Sequence, residues 1–471
     1  MKQTTKTLLG LLALLVIAGA IGGAVLWTNK DEAKKAEEKQ KTDKLFDFDK
    51  AQVKSLRISK DGQQVAQLEK GDKGWRLLKP VPADGDFPMI DSLLGSLGSL
   101  KQKKEIEGAK DLQQFGLATP AVEVALKLQD GKELGLQIGA ENTFDNTLYA
   151  KRIGDGTVRV IDSYQKATFD RTAFDLREKR VAQLEDSIDV KRVEVTGLKF
   201  PYTLEKEGGS WKVNGAPADT ANADAVGNAL KNLRATAVAS ENATSLKEFG
   251  LDKPLATVKV TAGETTRTVL IGQAKGGAVA QKTYAKRADS PVVYEVDKQI
   301  LATLTKQPFD LANKELAKVD REALRKAVFE SPAGKVVITR SKNTPSDGGI
   351  AEETFTVVEP QKGPAKKWKV SSALYTAGSL RAVSFEGPVP AEKDLAKYGL
   401  DKPKTATMLG EGDKVLARIR IGAEKDGKRY ALADGFDKLV LVDKGIVDDF
   451  PWTAADALES PPAPATPQAS K

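Results

Sequence analysis

The chain has 471 residues, 73 of them basic and 65 acidic for a net charge of +8, and it contains neither Cys nor His. That composition excludes a thiol nucleophile, a histidine general base, a disulfide framework and an ordinary zinc site, leaving Asp/Glu, Lys, Tyr and Ser/Thr for any chemistry. The charges are mixed along the chain and aromatic residues make up 6%, so the basic blocks interleaved with aromatics that bind nucleic acid are missing, and nucleic acid is not an expected partner.

Leu8 to Trp27 is a run of twenty residues without a charge. At about 1.5 Å per residue it spans about 30 Å, the thickness of a bilayer's hydrocarbon core, and Trp27 ends it where an interfacial aromatic belongs. Residues 1–28 are therefore expected to be a transmembrane anchor. A cleaved signal peptide ending at Ala18-Gly19-Ala20 is the competing reading, against which the apolar run continues past that site. Lys2 and Lys6 precede the run and Lys30, Lys34, Lys35 and Lys39 follow it, a count that favours an internal bulk. Long domains translocate largely regardless of such charges, so the expectation is a single pass through the bacterial cytoplasmic membrane with the bulk on the extracytoplasmic side. Residues 29–45, rich in Lys, Glu and Ala, read as a charged stalk.

From there the chain repeats itself. Phe115-Gly116-Leu117-Ala118-Thr119-Pro120 returns as Phe249-Gly250-Leu251-Asp252-Lys253-Pro254 and as Tyr398-Gly399-Leu400-Asp401-Lys402-Pro403. Each reads as the end of a short helix, with Gly116, Gly250 or Gly399 in the left-handed conformation, the Leu folding back and Pro preventing resumption. Ile138-Gly139, Ile271-Gly272 and Ile421-Gly422 follow these aromatics by 23, 22 and 23 residues. Tyr149-Ala150, Tyr284-Ala285 and Tyr430-Ala431 come next, and Asp162, Asp297 and Asp443 each stand 13 residues beyond the Tyr. A lone Trp precedes each cap: Trp75, Trp211 and Trp368. These marks define three repeats, at 46–184, 185–319 and 320–457, followed by a Pro/Ala-rich tail over 458–471 expected to be disordered or extended.

Within the first repeat, Val53 to Ile58 alternates as a half-buried strand, Asp61-Gly62 turns it, Val65 to Leu68 returns, and Trp75-Arg76-Leu77 makes a third strand. Ile90, Leu93, Leu94, Leu97 and Leu100 lie on one face of a helix that starts near Pro88. After the cap come Val122 to Leu128, Leu134 to Ile138, the Tyr-Ala strand and Val158 to Ile161, an antiparallel meander. The second repeat matches, with a helix after Asp219 carrying Val226, Ala229, Leu230 and Leu233. The third carries an inserted loop, Lys342 to Ala351. The expected fold class is α+β: an N-terminal transmembrane helix, then three tandem repeats, each a mainly antiparallel sheet with one amphipathic helix and short flanking helices.

The three Trp residues are expected to cap the cores of their repeats, the alternative being ligand platforms. Asp162, Asp297 and Asp443 are expected to cap the helices that follow them. Lys151-Arg152 and Lys286-Arg287 follow the Tyr-Ala pairs of the first two repeats and are the only candidates for an anion contact, although they are expected to be charges on the solvent face of a strand. No residue is assigned to catalysis, a cofactor or a metal, and the chain carries no Walker-type phosphate loop.

The Trp marks, the aromatic-Gly-Leu-x-x-Pro caps, the Ile-Gly strands and the helix ends Phe174-Asp175-Leu176 and Phe309-Asp310-Leu311 resemble the bacterial family known as domain of unknown function 4340, over about Phe48 to Asp456. In the third repeat Phe450-Pro451-Trp452 is expected to replace the Phe-Asp-Leu end. The resemblance implies a membrane-anchored accessory protein encoded beside ABC-type transporters of the gliding-motility kind, with an ABC permease as its expected partner, and implies no reaction. The functional expectation is a non-enzymatic envelope interaction protein. A cell-wall or polysaccharide binder using grooves between repeats is the alternative, and a carboxylate-based hydrolase stands third.

Overall fold

The structure, a computed structural model, describes residues 43–273, 282–343 and 352–459. The expected anchor, most of the stalk and the tail beyond Glu459 lie outside the described residues. Among those described, no helix is long and apolar enough to cross a membrane.

The first repeat folds as one antiparallel sheet: β1 (Val53–Lys60), β2 (Gln63–Gly71), β3 (Gly74–Lys79), β4 (Ala83–Asp84), β5 (Lys104–Ile106), β6 (Val122–Leu128), β7 (Glu133–Asn142), β8 (Thr147–Arg152) and β9 (Val158–Asp162). Their spatial order is β4-β3-β2-β1-β6-β7-β8-β9-β5. Two meanders are thus joined where β1 pairs with β6, at Leu56 with Leu126 and Ile58 with Val124. In β6, Val122, Val124, Leu126 and Leu128 are buried while Lys127 is exposed, the period-two alternation of a sheet with one covered face. Helix α1 (Phe87–Ser99) covers that face with Ile90, Leu93, Leu94 and Leu97. It starts where Asp86 accepts the Met89 N–H at 3.1 Å, with Pro88 in its first turn, as a proline needing no donor allows.

The same nine-strand order recurs between Val190 and Asp297, with α2 (Thr220–Lys231), and between Lys326 and Asp443, with α3 (Lys367–Gly378). The sequence pattern predicted seven strands per repeat. The two added ones are β4 and β5 with their counterparts, two to six residues long, too short or too irregular to show a period. The strand Gly334–Asn343 runs two residues into the segment expected to be a loop, and its partner begins at Glu352; residues 344–351 are outside the described residues. By backbone proximity the chain forms two compact units. One reaches Ile188 and adds Leu230–Val258 and Thr265–Ile300; the other comprises Asp189–Ala229, Lys259–Glu264 and the chain from Leu301.

Candidate functional site

The repeat marks meet at one place in each repeat. Gly116, Gly250 and Gly399 have φ of 65°, 64° and 63° and close short 3₁₀ turns. The following leucines donate their N–H five residues back, Leu117 to Leu112 O at 2.9 Å, Leu251 to Leu246 O at 3.0 Å and Leu400 to Leu395 O at 3.0 Å, and are buried, as a left-handed cap requires. The turn rests on the strand glycine. A Cβ on Gly272 would lie 2.6 Å from the Phe249 oxygen, and on Gly139 or Gly422 the oxygens of Phe115 and Tyr398 would be closer still. Each cap aromatic also meets the Tyr of the Tyr-Ala pair edge-on, Phe115–Tyr149 and Tyr398–Tyr430 at 5.0 Å and Phe249–Tyr284 at 5.2 Å. These residues therefore hold a cap against a sheet, and packing alone accounts for their spacing.

Trp75 and Trp211 are buried as expected. Trp368 is not the third member: it lies in the first turn of α3 and is 73% exposed. The matching residue is Phe355, whose carbonyl accepts the Ala365 N–H just as Trp75 accepts from Gly85 and Trp211 from Ala218. A smaller buried aromatic fills the place, and α3 turns Val370, Ala373 and Leu374 inward instead of Trp368. The third counterpart of the Phe-Asp-Leu end is likewise Ala455-Asp456-Ala457 and not Phe450-Pro451-Trp452. Thr453 and Asp456 form the same reciprocal capping pair there as Thr172 and Asp175.

Asp443 accepts the Ile446 N–H at 3.1 Å and Asp297 accepts that of Gln299 at 2.7 Å, both at helix starts. Asp162 does not cap; the helix after it, Gln165–Phe169, has Tyr164 at its N-cap and no side-chain cap bond, and Asp162 pairs with Lys103 at 2.5 Å. The candidate anion contacts are engaged by the protein's own residues. Lys151 donates to Asp155 O at 3.3 Å and Arg152 pairs with Asp155 at 2.7 Å. Although burial pushes the Asp155 carboxyl up, the Thr157 N–H and the Arg152 guanidinium hold it well below the ordinary range. Lys286 is buried and donates to Ser290 O at 2.6 Å, while Arg287 pairs with Asp289 and Gln183.

The seams between repeats are built by rule. At the first, Asp86 N–H donates to Leu176 O and Glu178 N–H to Asp84 O on the repeat being left; Val181 N–H donates to Leu233 O and Ala235 N–H to Lys179 O on the repeat being entered. Arg234 then reaches back to Asp86 at 2.7 Å. At the second, Asp219, Asn313, Leu316 and Ala382 donate to Leu311, Pro217, Leu380 and Lys314 in the same positions, and Arg381 reaches Asp219 at 3.2 Å. The Asn222 N–H, outweighing burial together with Arg381, lowers the Asp219 pKa. Leu45 N–H donates to Leu100 O by the same rule, so the end of the expected stalk is already part of the fold.

The two seams differ in what fills them. In the first, Arg177 lies in the groove, only 4% exposed, bonded to Glu241 at 2.6 Å and 5.6 Å from the centre of the Tyr294 ring, and leaves about 400 Å³. The hydrogen-bond register puts Ala312 in its place in the second seam, where the cleft measures about 900 Å³. Phe385 and Phe436 line that cleft with Phe309, where the first seam has Val238 and, by turn position, Ser290. The rings touch edge-on, Phe309–Phe385 at 4.8 Å and Phe385–Phe436 at 6.0 Å. The Lys314 ammonium lies 4.3 Å from the Phe309 ring centre and that of Lys438 5.8 Å from Phe385. None of the three rings is fully buried. Phe174 holds the place of Phe309 in the first groove, beneath Lys179, so the two half-buried aromatics added in the second, Phe385 and Phe436, mark that cleft as the candidate binding site among the described residues. The sequence alone did not mark them, because each Phe stands outside the repeated motifs or, for Phe309, in a motif read as a helix end.

Tandem antiparallel-sheet repeats, locked internally by glycine caps and joined through short hydrogen-bonded linkers, define a modular multi-repeat protein. The family model for Domain of unknown function (DUF4340) matches residues 75–244, 211–354 and 356–464, and the chain belongs to that family. No curated protein and no solved structure matches it.

Proposed function

We propose that the protein is a non-enzymatic, membrane-anchored interaction subunit of the cell envelope, held by Leu8–Trp27 with its repeats on the extracytoplasmic side, and that it engages a membrane-protein partner, an ABC-type permease by family resemblance, through the cleft of the second seam. The observation that carries this is the open three-Phe cleft beside Ala312, against the Arg177-filled groove of the first seam. Apolar surface left accessible where the homologous seam is closed marks contact with something else. The carboxylates and carboxamides at the cleft, such as Asp434, Asp437 and Asn214, also suit a cell-wall glycan. Sugar stacking, however, needs open ring faces, and Lys314 and Lys438 already lie over two of them.

The test is Ala312→Arg, which introduces the side chain that fills the first seam. Full-length protein solubilised from membranes should co-purify an integral-membrane permease, and Ala312→Arg and the milder Phe436→Ser should both lose it while keeping a cooperative melting transition. Unchanged recovery by either variant, or binding of purified wild-type protein to isolated cell-wall glycan strands, would overturn the proposal.

A further inference from the structure

We infer that the occupant of the second-seam cleft is an extended peptide segment that adds as a strand to Ser384–Pro388, placing one large apolar side chain among the three phenylalanines and one Lys or Arg at Asp434 and Asp437; this rests on the cleft being the partner site. Ser384–Pro388 is the terminal strand of the third sheet, bonded on one side to Lys438–Asp443. Terminal strands offer a row of backbone donors and acceptors to an incoming chain. The protein already uses this edge in that way. Immediately before the strand, the linker pairs antiparallel with it, Glu315 opposite Arg381, through the Leu316–Leu380 and Ala382–Lys314 hydrogen bonds. A second segment would continue that line beside Ser384 to Glu386, ahead of the bulge between Phe385 and Gly387 and of Pro388, which has no N–H to offer.

Chemistry selects the side chains. Phe385 projects from the terminal strand into the cleft against Phe309 and Phe436, so an added strand carries its own residues along that apolar wall at the two-residue period. Asp434 and Asp437 bracket Phe436 on the turn, and their ion contacts, with Arg418, Arg420 and Lys438, are all long at 3.8 Å. Two exposed carboxylates so loosely answered favour a cation.

The experiment is selection of a displayed random nonapeptide library on the full-length protein in detergent. The expected result is a consensus with an aromatic or large aliphatic residue and a Lys or Arg at strand spacing. Binding of the consensus peptide, followed by fluorescence anisotropy, should fall at least tenfold on Ala312→Arg, on Phe436→Ser as a milder second variant, and on N-methylation of the peptide backbone. Replacing both aspartates by Lys should weaken the consensus peptide and restore its Lys→Glu version. No enrichment over Ala312→Arg, a consensus without the basic residue, or indifference to N-methylation overturns the inference. Loss of permease co-purification by Ala312→Arg without any peptide consensus would leave the adaptor reading standing and sink the extended peptide. A consensus without permease co-purification would do the reverse.

Discussion

Replacing Gly139 by Ala tests the cap-on-strand lock where it is tightest. The new Cβ would fall inside contact distance of the Phe115 oxygen and 2.9 Å from both the Gly116 carbonyl carbon and Leu117 Cγ. Two of these three atoms are backbone, so relief requires the whole turn to retreat from β7 by roughly 1 Å, the scale of shift that overpacked cores show at a cost of about 1–3 kcal/mol. Retreat loosens the Phe115–Tyr149 edge contact at 5.0 Å, a pair of a kind worth about 0.5–1.5 kcal/mol, and exposes Leu117, now 2% accessible. The unfolded chain gives back about 0.4–1 kcal/mol because Ala is less free than Gly. The net expectation is a loss of roughly 1–3 kcal/mol, several degrees in Tm for a repeat of this size. Gly156→Ala is the control: the same repeat, the same chemical change, and nothing within 4 Å of the added methyl. Calorimetry of the full-length protein should show a lowered transition for Gly139→Ala and an unchanged or slightly raised one for Gly156→Ala. Equal melting of the two variants would refute the steric argument.

Three further expectations follow from particular contacts. Glu353 accepts hydrogen bonds from Arg340 at 2.7 Å, Arg321 at 3.1 Å and Tyr375 at 2.9 Å. The Arg340 bond chiefly, opposed by burial, brings its carboxyl from 4.5 to about 2. Because the folded value lies below the unfolded one, this stabilisation is present above about pH 4.5 and is lost as pH falls toward 2; it amounts to roughly 3 kcal/mol at most. Glu353→Gln should lower the urea midpoint at pH 6 and flatten its decline between pH 5 and 3, and an unaltered slope would refute the assignment. Trp211→Ala should cost about 3–5 kcal/mol as a buried aromatic deletion, whereas Trp368→Ser should leave the melting temperature within a degree, read by the same calorimetry. A periplasmic reporter fused after Glu459 should be active and a cytoplasmic one silent, and the opposite pattern would refute the proposed orientation.

Much of the fold is legible in the sequence because its signals are local. A left-handed glycine after a short turn, an alternating strand such as Val122 to Leu128 and the apolar stripe of α1 each follow from neighbours a few residues away. Their threefold recurrence establishes the repeats without reference to any contact. The third Trp misled for the same reason: Trp368 satisfies a spacing pattern, while Phe355 satisfies the hydrogen-bond register, and register is not written in spacing. β4 and β5 were also invisible, since a strand of two or three residues has no period of its own and exists because a partner strand is beside it. The candidate site belongs wholly to tertiary structure. Phe309, Phe385 and Phe436 are scattered over more than a hundred residues, and only the linker that binds one repeat to the next brings them around one cleft. What sets that cleft apart is Arg177 against Ala312, with Phe385 and Phe436 in place of Val238 and Ser290, comparisons whose meaning appears only when both seams are seen to be built alike. Local chemistry determined the three modules; the packing of one module on another decided where a partner could enter.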